Sequence, residues 1–334
     1  MPTDMMNTTE ENNRPDCGKI DKAAIALALP SLYFLIFVPA FLLNTSVAWI
    51  LFRLKTDSNF MVYMKNLVVA DLLMTLLVPI KATSELPHAN LGLKAFACQF
   101  GSVTLYACLY ISMVLMGLIS LDRYFKIVRP CGSTPCQSLA FGWTMSALTW
   151  AVLVGQAVPT MVLSSQDALD KTPEVCMGMK SKQGKDYHKA IVRAMNMLFL
   201  VILALVGFCY TCIARTVVQS FRNSGSKNVA RKRKTKAKVF VVLAVFLICY
   251  APYHIIRIPY TELQVKNKDS CPREYMKVVK EFGLWLACTN ICLDPLIYFF
   301  LCRGFREKLL NFGIIRIMRS SNTGSGTEEE LSMD

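Results

Sequence analysis

The chain has 334 residues, 54% of them hydrophobic and 18% charged, with 37 Lys and Arg against 23 Asp and Glu. A mean hydropathy of +0.38, with the apolar residues gathered in long blocks, excludes an ordinary soluble domain. In such a chain the net charge of +14 points to anionic membrane lipids or a cytosolic partner, and not to nucleic acid.

Residues 1–23 form a polar arm; MPTDMMNTTEENNRPDCGK has no apolar h-region, so no cleavable signal peptide is expected. Seven blocks then reach the roughly 20 apolar residues a helix needs to cross a bilayer. They fall near 24–52, 60–80, 96–128, 138–163, 190–218, 237–259 and 277–301. The expected fold is an all-α membrane protein, a seven-transmembrane helix bundle over 24–301, with no repeat relating its halves.

Positive charge sets the orientation. Arg53, Lys55 and Lys65 follow span one, and Arg215, Arg222, Lys227, the run Arg231-Lys232-Arg233-Lys234, Lys236 and Lys238 follow span five. Both loops lie on one side by parity, which makes that side cytoplasmic and the N-terminus extracellular in a multi-pass plasma-membrane protein. Asn7-Thr8-Thr9 is then an accessible glycosylation sequon, whereas Asn44-Thr45-Ser46 lies inside span one and is discounted. The outer side is basic too, with Lys171, Lys180, Lys182, Lys185 and Lys189 before span five and Lys266, Lys268, Arg273, Lys277 and Lys280 later. The positive-inside rule does not explain these; they would draw an anion from outside.

Four of the thirteen cysteines, Cys17, Cys98, Cys176 and Cys271, fall in outer, oxidising segments, and the sequence by itself allows three pairings. Cys131 and Cys136 lack the companions of a zinc site.

Charge inside hydrocarbon costs about 2.5–3.5 kcal/mol at a helix centre, so each instance needs a reason. Asp71 lies deep in span two and Asp294 deep in span seven beside Pro295; Asn44, Ser112 and Asn290 lie at comparable depth. These oxygens suit a small hard cation such as sodium, held by Asp71, Ser112, Asn290 and Asp294. The alternative is a hydrogen-bonded network with one carboxyl protonated. Pro295 removes a helix hydrogen bond and marks a hinge.

Asp122-Arg123-Tyr124 closes the inner end of span three. With Asn44, the L-x-x-x-D ending in Asp71, Cys98, Trp150, Tyr210, Pro252 and Asp294-Pro295-Leu296-Ile297-Tyr298, the chain resembles a rhodopsin-like G-protein-coupled receptor over residues 20–312. The resemblance implies a Cys98–Cys176 disulfide, a heterotrimeric G-protein partner, and roles in activation for Asp122, Arg123, Tyr124, Tyr210, Pro252, Asp294, Pro295 and Tyr298. It also reads residues 303–312, RGFREKLLNF, as a short amphipathic eighth helix with Phe305, Leu309 and Phe312 toward lipid. Residues 313–334 are Ser/Gly-rich and acidic, a composition expected to be disordered. The family's span-five proline is Ile202 here, Tyr250 stands for tryptophan beside Pro252, and Lys232 stands where some members place an acid that clamps the span-three arginine. Such a lock cannot form, so Arg123 must be held by Asp122 or another group.

Leu105 replaces the aspartate of amine receptors and Cys288 the retinal lysine of opsins, which removes both ligand classes. In FLICYAPYHIIRIPY, His254, Arg257 and Tyr260 share one helix face at the outer end of span six. Facing lipid, Arg257 would have to snorkel or pair with Glu262 or Glu281. Facing inward, its planar fork suits phosphate oxygens. Lys280 adds a cation, Tyr106 and Tyr110 offer stacking faces and hydroxyls, and His188 another donor. Cations, flat faces and hydroxyls in one mouth suggest a nucleotide.

The runs HIIRIPYTELQ, KEFGLWLACTNICLDPLIYFFLCRGFRE and MVYMKNLVVADLLMTLLVPIK resemble the purinergic nucleotide receptors, in the branch answering ADP or UDP-sugars. That resemblance implies a ligand set of Tyr106, Tyr110, Lys180, His188, His254, Arg257, Tyr260 and Lys280, a second disulfide Cys17–Cys271, and inhibitory G-protein coupling that lowers cyclic AMP. Two positions depart from it: the span-four P-N pair is Pro159-Thr160, and Val192 replaces the asparagine four residues after the span-five histidine. An anionic lipid or a peptide is the competing ligand. A channel or carrier using Asp71 and Asp294 is weaker, because no line of charge runs through the bundle. No nucleophile–base pair or metal-ligand spacing indicates an enzyme, and no cofactor beyond the allosteric sodium is expected.

Overall fold

The computed structural model describes residues 22–129, 138–164, 176, 178–223, 229–265, 271–301, 305 and 307–309. The chain runs as α1 (Lys22–Phe52), α2 (Asn59–Ser84), the short α3 (Leu91–Phe96), a π turn (Ala97–Gly101), α4 (Ser102–Val128), α5 (Leu139–Val162), α6 (Lys182–Asn223), α7 (Val229–Val265), α8 (Cys271–Cys288) and α9 (Asn290–Leu301). Six stretches are long and apolar enough to cross a membrane, α3 through α4 counting as one. The seventh expected span is α8 and α9 in sequence, which makes the seven-helix bundle read from the sequence.

The outer surface is apolar, the inverse of a soluble protein. Leu35, Val38 and Leu42 on α1, Trp143 and Val152 on α5, Met197, Val201 and Phe208 on α6, and Ile248 and Ile255 on α7 are exposed. In hydrocarbon these faces cost nothing, whereas backbone groups must find partners inside the chain and hydroxyls gain by doing so. Accordingly Ser46, Thr75, Ser120 and Thr149 each donate to the carbonyl four residues back, at 2.7–2.8 Å. The indole Nε1 of Trp150 donates to Asn66 Oδ1 at 3.0 Å and joins α5 to α2; that of Trp285 donates to the Leu32 carbonyl at 2.9 Å and joins α8 to α1.

α4 is the axis of the bundle: Ala107 through Met113 are all buried. Gly142 lets α5 approach the first residue of α2, since a Cβ would stand 2.5 Å from Asn59 Oδ1. A second close crossing joins α7 and α8, where a Cβ on Gly283 would meet backbone, 3.0 Å from Tyr253 Cα and 3.1 Å from Tyr253 N.

The helices overrun the apolar blocks of the sequence. α6 has 42 residues and α7 has 37, roughly 63 and 55 Å at 1.5 Å per residue against a hydrocarbon core of about 30 Å. Hydropathy marks only the lipid-bathed part of such a helix, so the boundaries fall short. Span seven carries an irregularity besides Pro295. It falls at Thr289, whose N–H reaches the carbonyls of Trp285 at 3.0 Å and Leu286 at 3.2 Å. Pro295 sits inside α9. It cannot donate to the Ile291 carbonyl, and the Asn44 amide supplies that bond instead at 2.7 Å.

Cys98 in the π turn is bonded to Cys176, with Cα atoms 5.5 Å apart. Cys271 is disulfide-bonded as well, and its expected partner Cys17 lies outside the described residues. So do Asn7, the tail 313–334, and all of the eighth helix except Phe305 and Glu307–Leu309. Those four residues are helical; Leu309 is exposed, but Phe305, expected toward lipid, is instead buried in the hydrophobic core of the bundle. The side chain of Lys232 is likewise outside the described set.

Candidate functional site

Local chain geometry builds a basic cavity at the disulfide end of the bundle. Gln99 in the π turn donates to the Met161 carbonyl at 3.0 Å, pinning that turn to the end of α5. Ser164 and Lys180 then form an antiparallel bridge, which with the disulfide lays Lys180 across the mouth. Tyr187 ties the start of α6 to α5 through the Gln156 carbonyl at 2.8 Å.

Seven of the eight residues expected to hold the ligand line this cavity: Tyr106, Tyr110, Lys180, His188, Arg257, Tyr260 and Lys280. The eighth does not. His254 is 1% exposed and lies below the cavity, its Nδ1 on the Tyr250 carbonyl at 2.7 Å and its ring stacked on Phe199 at 4.1 Å. A helix face of three residues is wider than the opening it serves, so the deepest member supports the floor.

Arg257 is the centre of the arrangement. Glu262 and Glu281, the carboxylates that could have neutralised it, are engaged elsewhere. Glu262 pairs with Lys189 and Arg193, each at 2.7 Å; Glu281 pairs with Lys280 and, at 3.4 Å, with Lys81. Among the described residues Arg257 has no carboxylate within ion-pairing distance. Its NH1 donates to the Tyr106 hydroxyl at 3.3 Å, and its guanidinium lies over the rings of Tyr106 at 4.7 Å and Tyr253 at 5.3 Å. At 9% exposure it is a desolvated cation facing a cavity, not a snorkelling one. Burial and the neighbouring Arg257 charge push the Lys180 ammonium down to about 8.

The opposite wall is charged but balanced. Lys81, bonded to Glu85 and close to Glu281, and Lys280, bonded to Glu281 and 5.2 Å over the Tyr260 ring, form a chain of alternating sign that is buried except at its exposed Glu85 end. Sequence reasoning missed Lys81. Its signal was a lysine in the apolar run LLVPIKATSE with Glu85 four residues on. Thr160 and Val192, the two departures, both face the cavity. A second cavity of about 500 Å³ adjoins the first and shares Glu85, Glu281 and Lys277 with it; its far wall is apolar, with Ile25, Leu29 and Val278.

Lower in the bundle, Asp71 accepts from Ser112 Oγ at 3.2 Å and from the Tyr298 hydroxyl at 2.9 Å. Asp294 accepts from Asn290 Nδ2 at 2.7 Å. Asn44 Oδ1, Asn290 Oδ1 and Asp294 Oδ1 remain buried acceptors with no donor. Unmatched oxygens beside two carboxylates fit a hard cation. Among the described residues no group of three His, Cys, Asp or Glu gathers, as a softer metal would require.

At the far end, Asp122 pairs with Lys126 at 2.9 Å, and the Arg123 guanidinium lies 3.6 Å over the Phe60 ring. Tyr124 packs on Phe208 at 5.6 Å, and Tyr210 is buried at 4% exposure. Pro252 lies in α7, one residue before the Gly283 crossing. Tyr298 points to Asp71 and is 1% exposed, so it does not line a cleft beside Arg123 here.

The family model for the 7 transmembrane receptor (rhodopsin family) matches residues 8–298. P2Y purinoceptor 13 from Homo sapiens is 39% identical over 307 residues, 91% of this chain and 87% of its own length. P2Y purinoceptor 14 from Bos taurus is 39% identical over 310 residues, 91% and 90% of the two chains. G-protein coupled receptor 87 from Mus musculus is 36% identical over 296 residues, 88% and 82%.

Proposed function

The chain belongs to the rhodopsin family of seven-transmembrane receptors, in its purinergic branch, and from that premise we propose that it is a plasma-membrane receptor for an extracellular nucleotide. The ligand is a nucleoside diphosphate or a sugar nucleotide, and the disulfide end, with the N-terminus, faces outward. The observation that carries this reading is Arg257, a buried guanidinium lining the cavity, with Glu262 and Glu281, the acids that could have paired with it, bound to other cations. Phosphate oxygens complete it; Lys180 and His188 close over the same end, and Tyr106 and Tyr110 stack on the base or ribose. Thr160 and Val192 leave base recognition to other groups. Asp71, Ser112, Asn290 and Asp294 hold a sodium ion that favours the resting bundle.

Activation is a population shift, driven only by the difference in ligand affinity between two bundles. Phosphate held between Arg257 and Lys280 draws α7 and α8 together at the outer end, and the inner end of α7 swings out at Pro252. Arg123 then leaves Phe60, and a heterotrimeric G protein of the inhibitory class enters. Cyclic AMP measured after forskolin, with graded ADP, ATP, UDP and UDP-glucose, tests the reading. One nucleotide should lower the signal saturably. Arg257→Ala should cost about ten- to a hundredfold in its potency, the range for a lost charged hydrogen bond of about 1.5–3 kcal/mol, with surface expression unchanged. Silence to all four from a chain at the surface would contradict it.

The apolar wall of the second cavity, between α1 and α8, favours one alternative, a lysophospholipid whose headgroup takes the basic cavity. A response to lysophospholipid alone would establish it.

A further inference from the structure

We propose that Glu262, held by Lys189 and Arg193, is a positioning residue for Arg257: the two ion pairs fix the outer turn of α7 so that the guanidinium faces the cavity. The proposal rests on Arg257 being the anion-binding group.

Both carboxylate oxygens of Glu262 are used, Oε1 by Arg193 Nη2 and Oε2 by Lys189 Nζ, each at 2.7 Å. The two cations are four residues apart and share one face of α6. Their neighbours His188 and Val192 line the cavity, so the pairs run along the lateral seam of the site. Glu262 is five residues beyond Arg257, about 140° further round the helix. A carboxylate drawn toward α6 therefore turns residue 257 away from α6 and into the bundle.

The seam is fastened on the other side of Arg257 as well. Asn196 Nδ2 donates to the His254 carbonyl at 2.9 Å, and Phe199 stacks on the His254 imidazole at 4.1 Å. The turn bearing Arg257 is thus clamped from above by charge and from below by a backbone bond and a ring stack. Lys189 and Arg193 also occupy both oxygens of the acid that would otherwise be free to swing back and neutralise Arg257. The three side chains are 28%, 60% and 29% exposed, so each pair is modest, but both act on one rotation.

The test needs no knowledge of the ligand. Arg257→Cys, expressed as the full chain, is labelled from outside with the anionic reagent sulfonatoethyl methanethiosulfonate, over the background of the parent chain. Adding Glu262→Gln should slow labelling roughly threefold or more, what two exposed pairs of ordinary strength supply. Exchanging the charges, with Arg193→Glu and Glu262→Arg together and Lys189→Gln to remove the cation that would then oppose the new arginine, should restore part of the rate. Equal rates with and without Glu262, or no recovery in the exchanged pair, would overturn the proposal. In parallel, ADP potency in chains that keep Arg257 should fall with Glu262→Gln and return in part with the exchange. If ADP is silent on every chain while labelling follows the charges, the positioning role stands and the nucleotide reading fails.

Discussion

At the scale of the residue, what distinguishes this site is how its charges are apportioned. Many ionic side chains crowd one end of the bundle, yet the acids Glu85, Glu281 and Glu262 are committed to Lys81, Lys280, Lys189 and Arg193. Arg257 and Lys180 form no ion pair with a carboxylate among the described residues. For Lys180 this has a consequence in pH. Its folded value is lowered to about 8, so the ammonium is mostly present at pH 7 and is lost as pH rises through 8. An anion binds the protonated form, and a terminal phosphate is already almost fully ionised in that range. Nucleotide affinity should therefore fall between pH 7 and 9, and the fall should flatten in Lys180→Arg, which cannot deprotonate. A titration of affinity against pH checks it; an identical fall in both chains would remove Lys180 from the site.

The individual residues were unevenly legible. Arg257, Lys280 and the tyrosines announced themselves, because a charge or a hydroxyl in an apolar run calls for an explanation. Lys81 belonged to the same class and was passed over within a run read as a whole. His254 shared the stripe with Arg257 but lies under the floor, a distinction of depth that helical periodicity does not carry. The partners of Glu262 could not be foreseen, since Lys189 and Arg193 lie some seventy residues away in sequence.

At the scale of the element, backbone approach matters more than propensity. The α7–α8 crossing at Gly283 meets the Tyr253 backbone, which cannot rotate aside as a side chain would. Overpacking of this kind costs about 1–3 kcal/mol, more than the ~1 kcal/mol a glycine forfeits in a helix. Gly283→Val should therefore lower the melting temperature of the detergent-solubilised chain by several degrees and weaken responses that depend on α7 and α8 moving together. An unchanged melting temperature would show that the crossing yields. The seven spans themselves were readable from apolar blocks. Their ends were not, because α6 and α7 continue as helix into water where hydropathy is silent. The interruption at Pro295 was readable, whereas the additional break at Thr289 carried no comparable signal. Asn44 supplies the bond that Pro295 leaves open, and that compensation belongs to two helices at once.

At the scale of the whole molecule, a lipid-facing exterior leaves the interior to carry all polar business. That interior is layered: the basic cavity, then the Asp71 and Asp294 oxygens, then Arg123 over Phe60. The lock expected to be absent for want of an acid opposite Arg123 is replaced by an aromatic face, and Asp122 turns to Lys126. Any ligand acting across this distance must favour one arrangement of α7 over another. The central claim is that an anion entering from outside does so at Arg257. Equilibrium binding of ADP and UDP-glucose to the purified chain tests that most directly, comparing the parent with Arg257→Ala at low and high salt. The account predicts saturable binding of one of them that weakens with salt and is lost, or weakened at least tenfold, without the guanidinium. Binding of equal strength in both chains would contradict it.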